Sequence, residues 1–291
     1  VVLLGFVVAV GVVSAGGAWY TGKQLEPVLQ TAVQDANKEL QRSMAGVDGT
    51  VSLELVSLDR GLFSSTAHYR LKGQGSVFGE QNPNPELLIV DHIEHGPLPF
   101  SRLVSLKWLP VMATSHYALE KNATTEKWFA AAKDVSPLKG VANIGYSRSV
   151  NGNLELLPLA FKDETSSVDF SGLNLDFDST AEGKKVKVDG YVNSLKLAVV
   201  DANGAPFDAE FAGLTVVSNL EKSTFGFYTG QNTIELSDTK VTFGPQKAVL
   251  TLKGFEQKDS SEVKDNNMAG RVDYKIDEIG YQGKPVGSAA M

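Results

Sequence analysis

The sequence predicts a mainly β protein of the α+β class, with two N-terminal helices followed by a long, curved antiparallel sheet that holds one short helix. Three observations indicate this class. Residues 1–20 carry no charge, and the residues after them repeat their apolar positions every three or four places. Past Gly49 the repeat shortens to two, with apolar and polar residues in alternation. With 291 residues and 42% apolar content, the chain is long enough to bury a sizeable core.

Residues 1–22 are predicted to be a transmembrane anchor. As a helix, the uncharged run that ends at Tyr20 would span about 30 Å, which is the thickness of a bilayer's hydrocarbon core. Trp19 and Tyr20 close the run as aromatic residues do at a membrane interface, and Lys23 follows on the water side. A cleaved signal peptide is the alternative. We favour a retained anchor because the apolar region of a signal peptide has only about 7–15 residues.

Residues 23–46 are predicted to form a juxtamembrane amphipathic helix. Pro27 suits its first turn, and Gly46 suits its C-terminal end. The apolar residues fall at spacings of three and four and therefore form one stripe: Leu25, Val28, Leu29, Ala32, Ala36, Leu40 and Met44. We expect this stripe to pack on the protein's own domain, since the polar face is mixed rather than strongly basic.

Two regions follow the helices. Residues 47–150 are predicted to be α+β, with a short helix at 124–134 where Ala and Lys are frequent. Residues 151–291 are predicted to be an antiparallel meander, although the two regions can equally form one continuous domain. A slip in the apolar phase predicts a β-bulge near Asn193. The last residues, 287–291, show no pattern that predicts a helix or a closing strand, so we expect the chain to be truncated at the C-terminus.

Composition and motif spacing exclude several classes of function. The net charge is −7 and no Lys/Arg cluster is present, which argues against nucleic-acid binding. Because the chain has no Cys, it has no disulfide, thiolate metal site or thiol nucleophile. The Gly-rich and Ser-containing segments miss the spacing of dinucleotide sites, phosphate loops and nucleophile elbows. We therefore assign no catalytic residue, no metal ligand and no cofactor.

One segment does contain the residue types of a catalytic or metal site. Asp91, His92, Glu94 and His95 lie within five residues of one another. On a strand, His92 and His95 would point to opposite faces and could not share one ion. Asp91 and His95 would share a face, which leaves a hydrolase or lyase built on this pair as the third-ranked hypothesis. The favoured interpretation is a polar strand end that meets a turn at Gly96-Pro97.

The segment Arg60-Gly61-Leu62-Phe63-Ser64-Ser65 is predicted to be a tight turn between two strands. In this interpretation Gly61 supplies the turn, and Phe63 anchors the loop in the core. The alternative makes Arg60 an anion clamp, but no second basic residue accompanies it.

Three motifs in order resemble the YdgA-like proteins, a Gram-negative envelope family whose domain has no known function. They are Gly16-Gly17-Ala18-Trp19-Tyr20-Thr21-Gly22-Lys23, Arg60-Gly61-Leu62-Phe63-Ser64-Ser65 and His95-Gly96-Pro97-Leu98-Pro99. The chain departs from the family in having Glu94 where Asp is expected, and in lacking the long C-terminal half. The resemblance implies a single-pass anchor in the bacterial inner membrane, with the bulk of the chain in the periplasm. It supplies no catalytic residue, and we take the motif residues as structural: Arg60, Gly61, Phe63, Ser64, His95, Gly96 and Pro97.

These observations favour a non-enzymatic, membrane-anchored periplasmic protein. A one-sided sheet has to cover its apolar face with a second layer or with a guest. We therefore expect the sheet to bind an apolar, lipid-like ligand or an envelope partner in a groove, by analogy with other folds. The runner-up is a structural or assembly scaffold of the cell envelope. The lipid membrane is the expected partner of the N-terminal helix, and homo-oligomer formation stays open.

Overall fold

The computed structural model describes residues 25–44, 46–78, 84–162, 165–200, 205–265 and 267–291. The predicted anchor at 1–22 and the interface residues Trp19, Tyr20 and Lys23 lie outside these ranges. Among the residues within them, no helix has both the length and the apolar character needed to cross a membrane. The chain divides into two units, and we describe each by itself: unit 1 is Val1–Leu154 with Phe177–Gly183, and unit 2 is Glu155–Asp176 with Lys184–Met291.

Unit 1 consists of an antiparallel sheet and all of the described α-helices. The helices are α1 (Leu25–Ser43), α2 (Phe100–Val104) and α3 (Glu126–Ala131). The strands pair with their sequence neighbours and are β1 (Thr50–Arg60), β2 (Ser64–Gln74), β3 (Glu86–His95), β4 (Ala113–Glu120), β5 (Leu138–Ile144) and β6 (Val150–Leu156). The helix predicted at 124–134 is therefore shorter than expected. Helix α2 lies in the apolar stretch 97–110, whose sequence is compatible with either helix or loop.

The core of unit 1 lies where α1 packs against β1. The Asn37 side chain donates to the Leu53 carbonyl at 2.8 Å and accepts from the Leu53 amide at 2.7 Å, which fixes the helix to the strand. The amphipathic stripe turns towards the sheet, and its buried members are Leu29, Ala32, Ala36, Leu40 and Met44. Burial of one such leucine stabilises the fold by about 1.5–3 kcal/mol, so this stripe holds α1 in place.

Unit 2 consists of strands in the residues that the structure describes. After β7 (Leu159–Lys162), β8 (Ser166–Phe170) and β9 (Leu173–Ser179, shared with unit 1), long strands run antiparallel in sequence order. These are β10 (Lys185–Val200), β11 (Pro206–Lys222), β12 (Tyr228–Phe243), β13 (Ala248–Lys264), β14 (Asn267–Tyr281) and β15 (Lys284–Ala290). Strand β8 pairs with both β7 and β10. The mainly β, antiparallel prediction is confirmed.

A row of unpaired residues crosses five strands of unit 2 at one level. The backbone pairing skips one residue in each strand and then resumes in the same register: Asn193, Gly213, Ser237, Gly254 and Asp277. The β-bulge predicted near Asn193 is not formed, because both paired strands skip one residue and the register does not shift. The irregularity found there is shared by β10 to β14. We call this feature the skipped row.

Positive backbone φ values accompany the skipped row at two glycines. Gly213 has φ 64° and Gly254 has φ 61°, a region that favours glycine. A Cβ on Gly213 would collide with the Ser237 side chain, and one on Gly254 would collide with Asp277. Because one residue is skipped in every strand, the apolar side chains change there between even and odd residue numbers and stay on one face of the sheet.

Candidate functional site

The turn between β1 and β2 is the Arg60–Ser65 motif. The Gly61 amide donates to the Ser64 carbonyl at 2.9 Å, and a Cβ on Gly61 would lie 2.7 Å from the same oxygen. Glycine is therefore required by close approach of the backbone rather than by a positive φ. The Arg60 guanidinium lies 3.5 Å from the Glu26 carboxylate in the first turn of α1. This ion pair gives Arg60 a partner within unit 1, which weakens its interpretation as an anion clamp.

His95 joins the second motif to this turn. Its backbone amide donates to the Phe63 carbonyl at 2.8 Å, and its ring Nδ1 lies 3.3 Å from the Leu62 carbonyl. Its Nε2 lies 3.0 Å from the Ser65 hydroxyl. A neutral imidazole protonated on Nδ1 satisfies both contacts, because Nδ1 then donates to Leu62 and Nε2 accepts from Ser65. The two motifs, about thirty residues apart, therefore form one clamp.

Gly96 continues the clamp towards β4. Its amide donates to the Met112 carbonyl at 2.7 Å, and a Cβ at this position would collide with the Val111 carbonyl. The Val111 amide in turn donates to the Pro97 carbonyl at 3.0 Å. This close backbone packing explains why Gly follows His95, and it fixes where the segment before β4 begins.

The clamp turns apolar side chains towards solvent. Leu62 is 78% exposed and Phe63 is 80% exposed. The prediction that Phe63 anchors the loop in the core is wrong, because His95 holds the loop through backbone carbonyls and leaves the side chains outside. The connection from β3 to β4 shares this property, with six exposed apolar residues that sequence reasoning did not single out: Leu98, Phe100, Val104, Leu106, Trp108 and Leu109.

Asp91 and His95 do not form a catalytic pair. Four residues of strand separate them by about 13 Å, and both ring nitrogens of His95 bind elsewhere. The Asp91 side chain, on strand β3, is buried and accepts a hydrogen bond from the Ser115 hydroxyl at 2.6 Å. Burial raises the pKa of Asp91 to about 6, an effect that the Ser115 hydrogen bond only partly offsets. Tyr117 is buried close enough for the Asp91 charge to raise its pKa further above the usual value.

The other His and acidic residues do not converge on a metal. His92 is exposed on the opposite face of β3, where its cross-strand partner is His116. Across the described parts of the chain, no group of three or more His, Cys, Asp or Glu side chains is placed to hold a metal ion.

One face of β10 to β14 in unit 2 is a continuous apolar surface, which we call the apolar face. On one side of the skipped row, cross-strand partners run Val192, Leu214, Leu236, Phe255 and Ile276. On the other side they run Leu195, Phe211, Thr239, Leu252 and Ile279. The opposite face is charged, with Lys196, Glu210 and Lys240 as successive cross-strand partners.

The apolar face is only partly covered. Large side chains on it are between 40% and 49% exposed: Val199, Phe207, Val272, Tyr274, Tyr281 and, at 41%, Phe243. Towards one end the face becomes polar, since Ser218, Asn232 and Asp259 are cross-strand partners. There the Gln257 amide donates to the Asp259 carboxylate at 2.9 Å. The apolar face could have been predicted from the sequence, because the apolar positions change between even and odd residue numbers in all five strands. Only the change in β10 was used above.

Comparisons with known proteins give relatives without an assigned activity. Residues 1–291 match a family described as "Bacterial protein of unknown function (DUF945)". The chain is 26% identical to Protein YdgA of Escherichia coli strain K12 over 296 residues, which covers 100% of the chain and 58% of YdgA. It is 28% identical over 158 residues to the uncharacterized protein YihF of the same organism, covering 54% of the chain and 33% of YihF.

An uncharacterized protein of Haemophilus influenzae is 28% identical over 171 residues, covering 59% of the chain and 45% of that protein. The chain thus spans between about a third and somewhat over half of the lengths of these curated relatives. No solved structure matches it significantly.

Proposed function

The chain belongs to the DUF945 family of bacterial proteins, whose function is unknown, and we therefore propose a function from its surfaces. We propose that it is a membrane-anchored envelope protein that binds an apolar, lipid-like ligand on the apolar face of β10 to β14. In this proposal residues 1–22 hold the chain in the bacterial inner membrane, with Trp19, Tyr20 and Lys23 at the interface. The bulk of the chain lies in the periplasm. The half-exposed apolar face is the observation that carries the proposal.

The free energy of leaving this face in water is unfavourable. Each CH₂ group moved from water to an apolar surface contributes about 0.8 kcal/mol, and a full row such as Val192 to Ile276 offers five apolar side chains in line. Four strand spacings make that row about 19 Å long, a length suited to an extended hydrocarbon chain. Exposed patches of this kind commonly mark a binding surface.

The skipped row supports the proposal because it keeps the apolar side chains of each strand on one face of the sheet. Without it, the apolar residues of each strand would change sides at its middle, and half of them would join Lys196 and Glu210 on the charged face. Instead, Gly213 and Gly254 adopt a left-handed backbone conformation within the skipped row, and the apolar face remains continuous.

The polar end of the face suits an amphiphile better than a plain hydrocarbon. The side chains of Asn232 and Gln257 each carry an amide, and Asp259 carries a carboxylate. They lie beside the apolar Val272. A ligand with a hydrocarbon chain along the rows and a hydrogen-bonding head group at this end would satisfy both parts of the surface.

Photocrosslinking of the full chain tests the proposal. The chain is reconstituted in nanodiscs, a fatty acid carrying a diazirine is added, and cross-linked peptides are mapped by mass spectrometry. We expect cross-links on β11, β13 and β14, with labelling reduced severalfold by Leu252→Gln on the apolar face. The matched control is Thr251→Gln, one residue away on the opposite face, which should leave labelling unchanged.

Two outcomes would contradict ligand binding. Labelling that responds equally to both substitutions would show no preference for the apolar face. Protection of the face by a second protein chain, with no lipid label on it, would instead support the scaffold hypothesis.

A further inference from the structure

The turn after β1, the connection after β3 and the start of α1 lie at the same end of unit 1. The His95 clamp joins the first two, and the contact between Arg60 and Glu26 at 3.5 Å places the first turn of α1 beside them. Alternate connections of an antiparallel sheet lie at the same end, so this placement follows from the strand order. The described chain therefore starts at the same end of unit 1 as its exposed apolar loops.

This end carries a dense set of exposed apolar side chains, which we call the apolar end. Its members are 63–80% exposed: Leu62, Phe63, Phe100, Val104, Leu106, Trp108 and Leu109. Such a concentration is unusual on a soluble surface, where large apolar residues are normally scattered singly.

Polar contacts hold the backbone of the apolar end so that its side chains point outwards. Arg102 donates to the Asn143 side chain and to the Leu109 carbonyl, both at 3.0 Å. The Glu94 carboxylate accepts hydrogen bonds from the amide and hydroxyl of Ser101 at the start of α2. The segment is thus built by specific contacts rather than left loose.

Leu106 illustrates the arrangement. It has φ 56°, a conformation that costs a leucine roughly 1–2 kcal/mol, yet its side chain is 72% exposed and gains no core packing. The hydrogen bonds that end α2 hold this conformation, since the Lys107 amide donates to the Arg102 carbonyl at 2.9 Å, and they leave the leucine side chain in the exposed set.

The charge pattern of the connection from β3 to β4 is that of a bilayer interface. No Asp or Glu occurs between Glu94 and Glu120, whereas Arg102 and Lys107 lie among the apolar residues. Trp108 is a residue type concentrated where membrane meets water, and basic side chains favour anionic lipid head groups.

We propose that the apolar end of unit 1 dips into the surface of the bilayer that holds residues 1–22, an inference that rests on the proposed anchor. Five residue steps from Tyr20 to Leu25 reach at most about 18 Å, so the start of α1 stays close to the membrane surface. The apolar end lies beside that start, within unit 1, and is therefore an apolar surface that the lipid can reach.

Quenching of tryptophan fluorescence by brominated lipids tests this inference on the full chain. The chain has three tryptophans. The variant Trp19→Phe/Trp128→Phe retains Trp108, which lies at the apolar end. The matched control Trp19→Phe/Trp108→Phe retains Trp128 in α3, at the other end of β3, where Asn122 donates to the Glu86 carbonyl at 2.8 Å. Vesicles contain phosphatidylethanolamine and phosphatidylglycerol with bromines near the head-group end of the acyl chains.

We expect Trp108 to be quenched severalfold more strongly than Trp128. Flotation of the same vesicles on a density gradient separates this inference from the anchor on which it rests. A chain that floats but shows equal, weak quenching of both tryptophans overturns the inference and leaves the anchor intact. A chain that does not float overturns the anchor and the inference together.

Discussion

Unit 1 and unit 2 use the same alternating strands but differ in what covers them. In unit 1, α1 lies against β1, and inward side chains such as Leu29, Leu53 and Ile93 are almost fully buried. In unit 2 the described elements are strands, and Val272 and Tyr274 on the apolar face remain 49% and 40% exposed. A period of two therefore tells which face of a sheet is apolar, whereas a helix elsewhere in the sequence decides whether that face becomes a core.

The largest expected effect tests this difference with the same substitution in both units. Leu29→Ala in α1 should reduce the free energy of unfolding by about 2–5 kcal/mol, because it leaves a cavity in a closed core. Leu252→Ala on the apolar face should reduce it by only about 1 kcal/mol, since the Leu252 side chain is partly exposed in the folded state. Hydrogen exchange in α1 and in β13 measures the two losses. Equal losses in delipidated protein would contradict the contrast between a covered and an open face.

The pH dependence of the stability of unit 1 tests the comparison through a buried carboxyl group. Burial raises the pKa of Asp91 from 3.8 to about 6 in the folded state. The stability that this carboxyl contributes is complete below about pH 4, where it is protonated in both states, and is lost as pH rises through about 6. The loss is on the order of 3 kcal/mol at most.

Asp91→Asn isolates this effect, because asparagine keeps an acceptor for Ser115 but does not titrate. Urea unfolding followed by the fluorescence of Trp108 and Trp128 should show stability falling between pH 4 and 7 in the original chain, relative to the variant. Parallel pH profiles for the two proteins would show that the Asp91 carboxyl does not control this transition.

The smallest of the three effects concerns the skipped row in unit 2. Gly254→Ala should destabilise β13 and β14 by about 1–3 kcal/mol, because φ is 61° there and the new methyl group meets Asp277. Gly270→Ala is the control, since its nearest neighbour would be the Ser260 carbonyl at 3.5 Å. Hydrogen exchange of β14 should separate the two variants. A Gly254→Ala protein as protected as the control would mean that the row tolerates a side chain.

The sequence predicted the parts of the fold that follow from local periodicity. Alternation predicted that the chain past Gly49 is mainly strand, and the apolar stripe ending at Met44 predicted α1. The exposed position of Phe63 was not predictable in this way, because hydrophobicity indicates burial only if the burying surface belongs to the same chain.

The candidate surfaces depended on long-range pairing that sequence periodicity does not contain. The slip near Asn193 was visible, but its alignment with Gly213 and Gly254 appears only once the strands are placed side by side. Likewise, His95 and Leu62 are far apart in sequence, and their clamp depends on the hydrogen bonds between β2 and β3.

The skipped row also limits how this sheet can change during evolution. Deletion of one paired residue of β13, such as Thr251, would move the residues on one side of the deletion onto the opposite face of the sheet relative to the rest of the strand. A single insertion in the middle of β11 would do the same to half of that strand. Gains and losses of residues are therefore tolerable in the turns, for example at Gly244, or as matched changes in neighbouring strands. Homologous sheets should accordingly vary in turn length while their strand interiors keep a constant residue count.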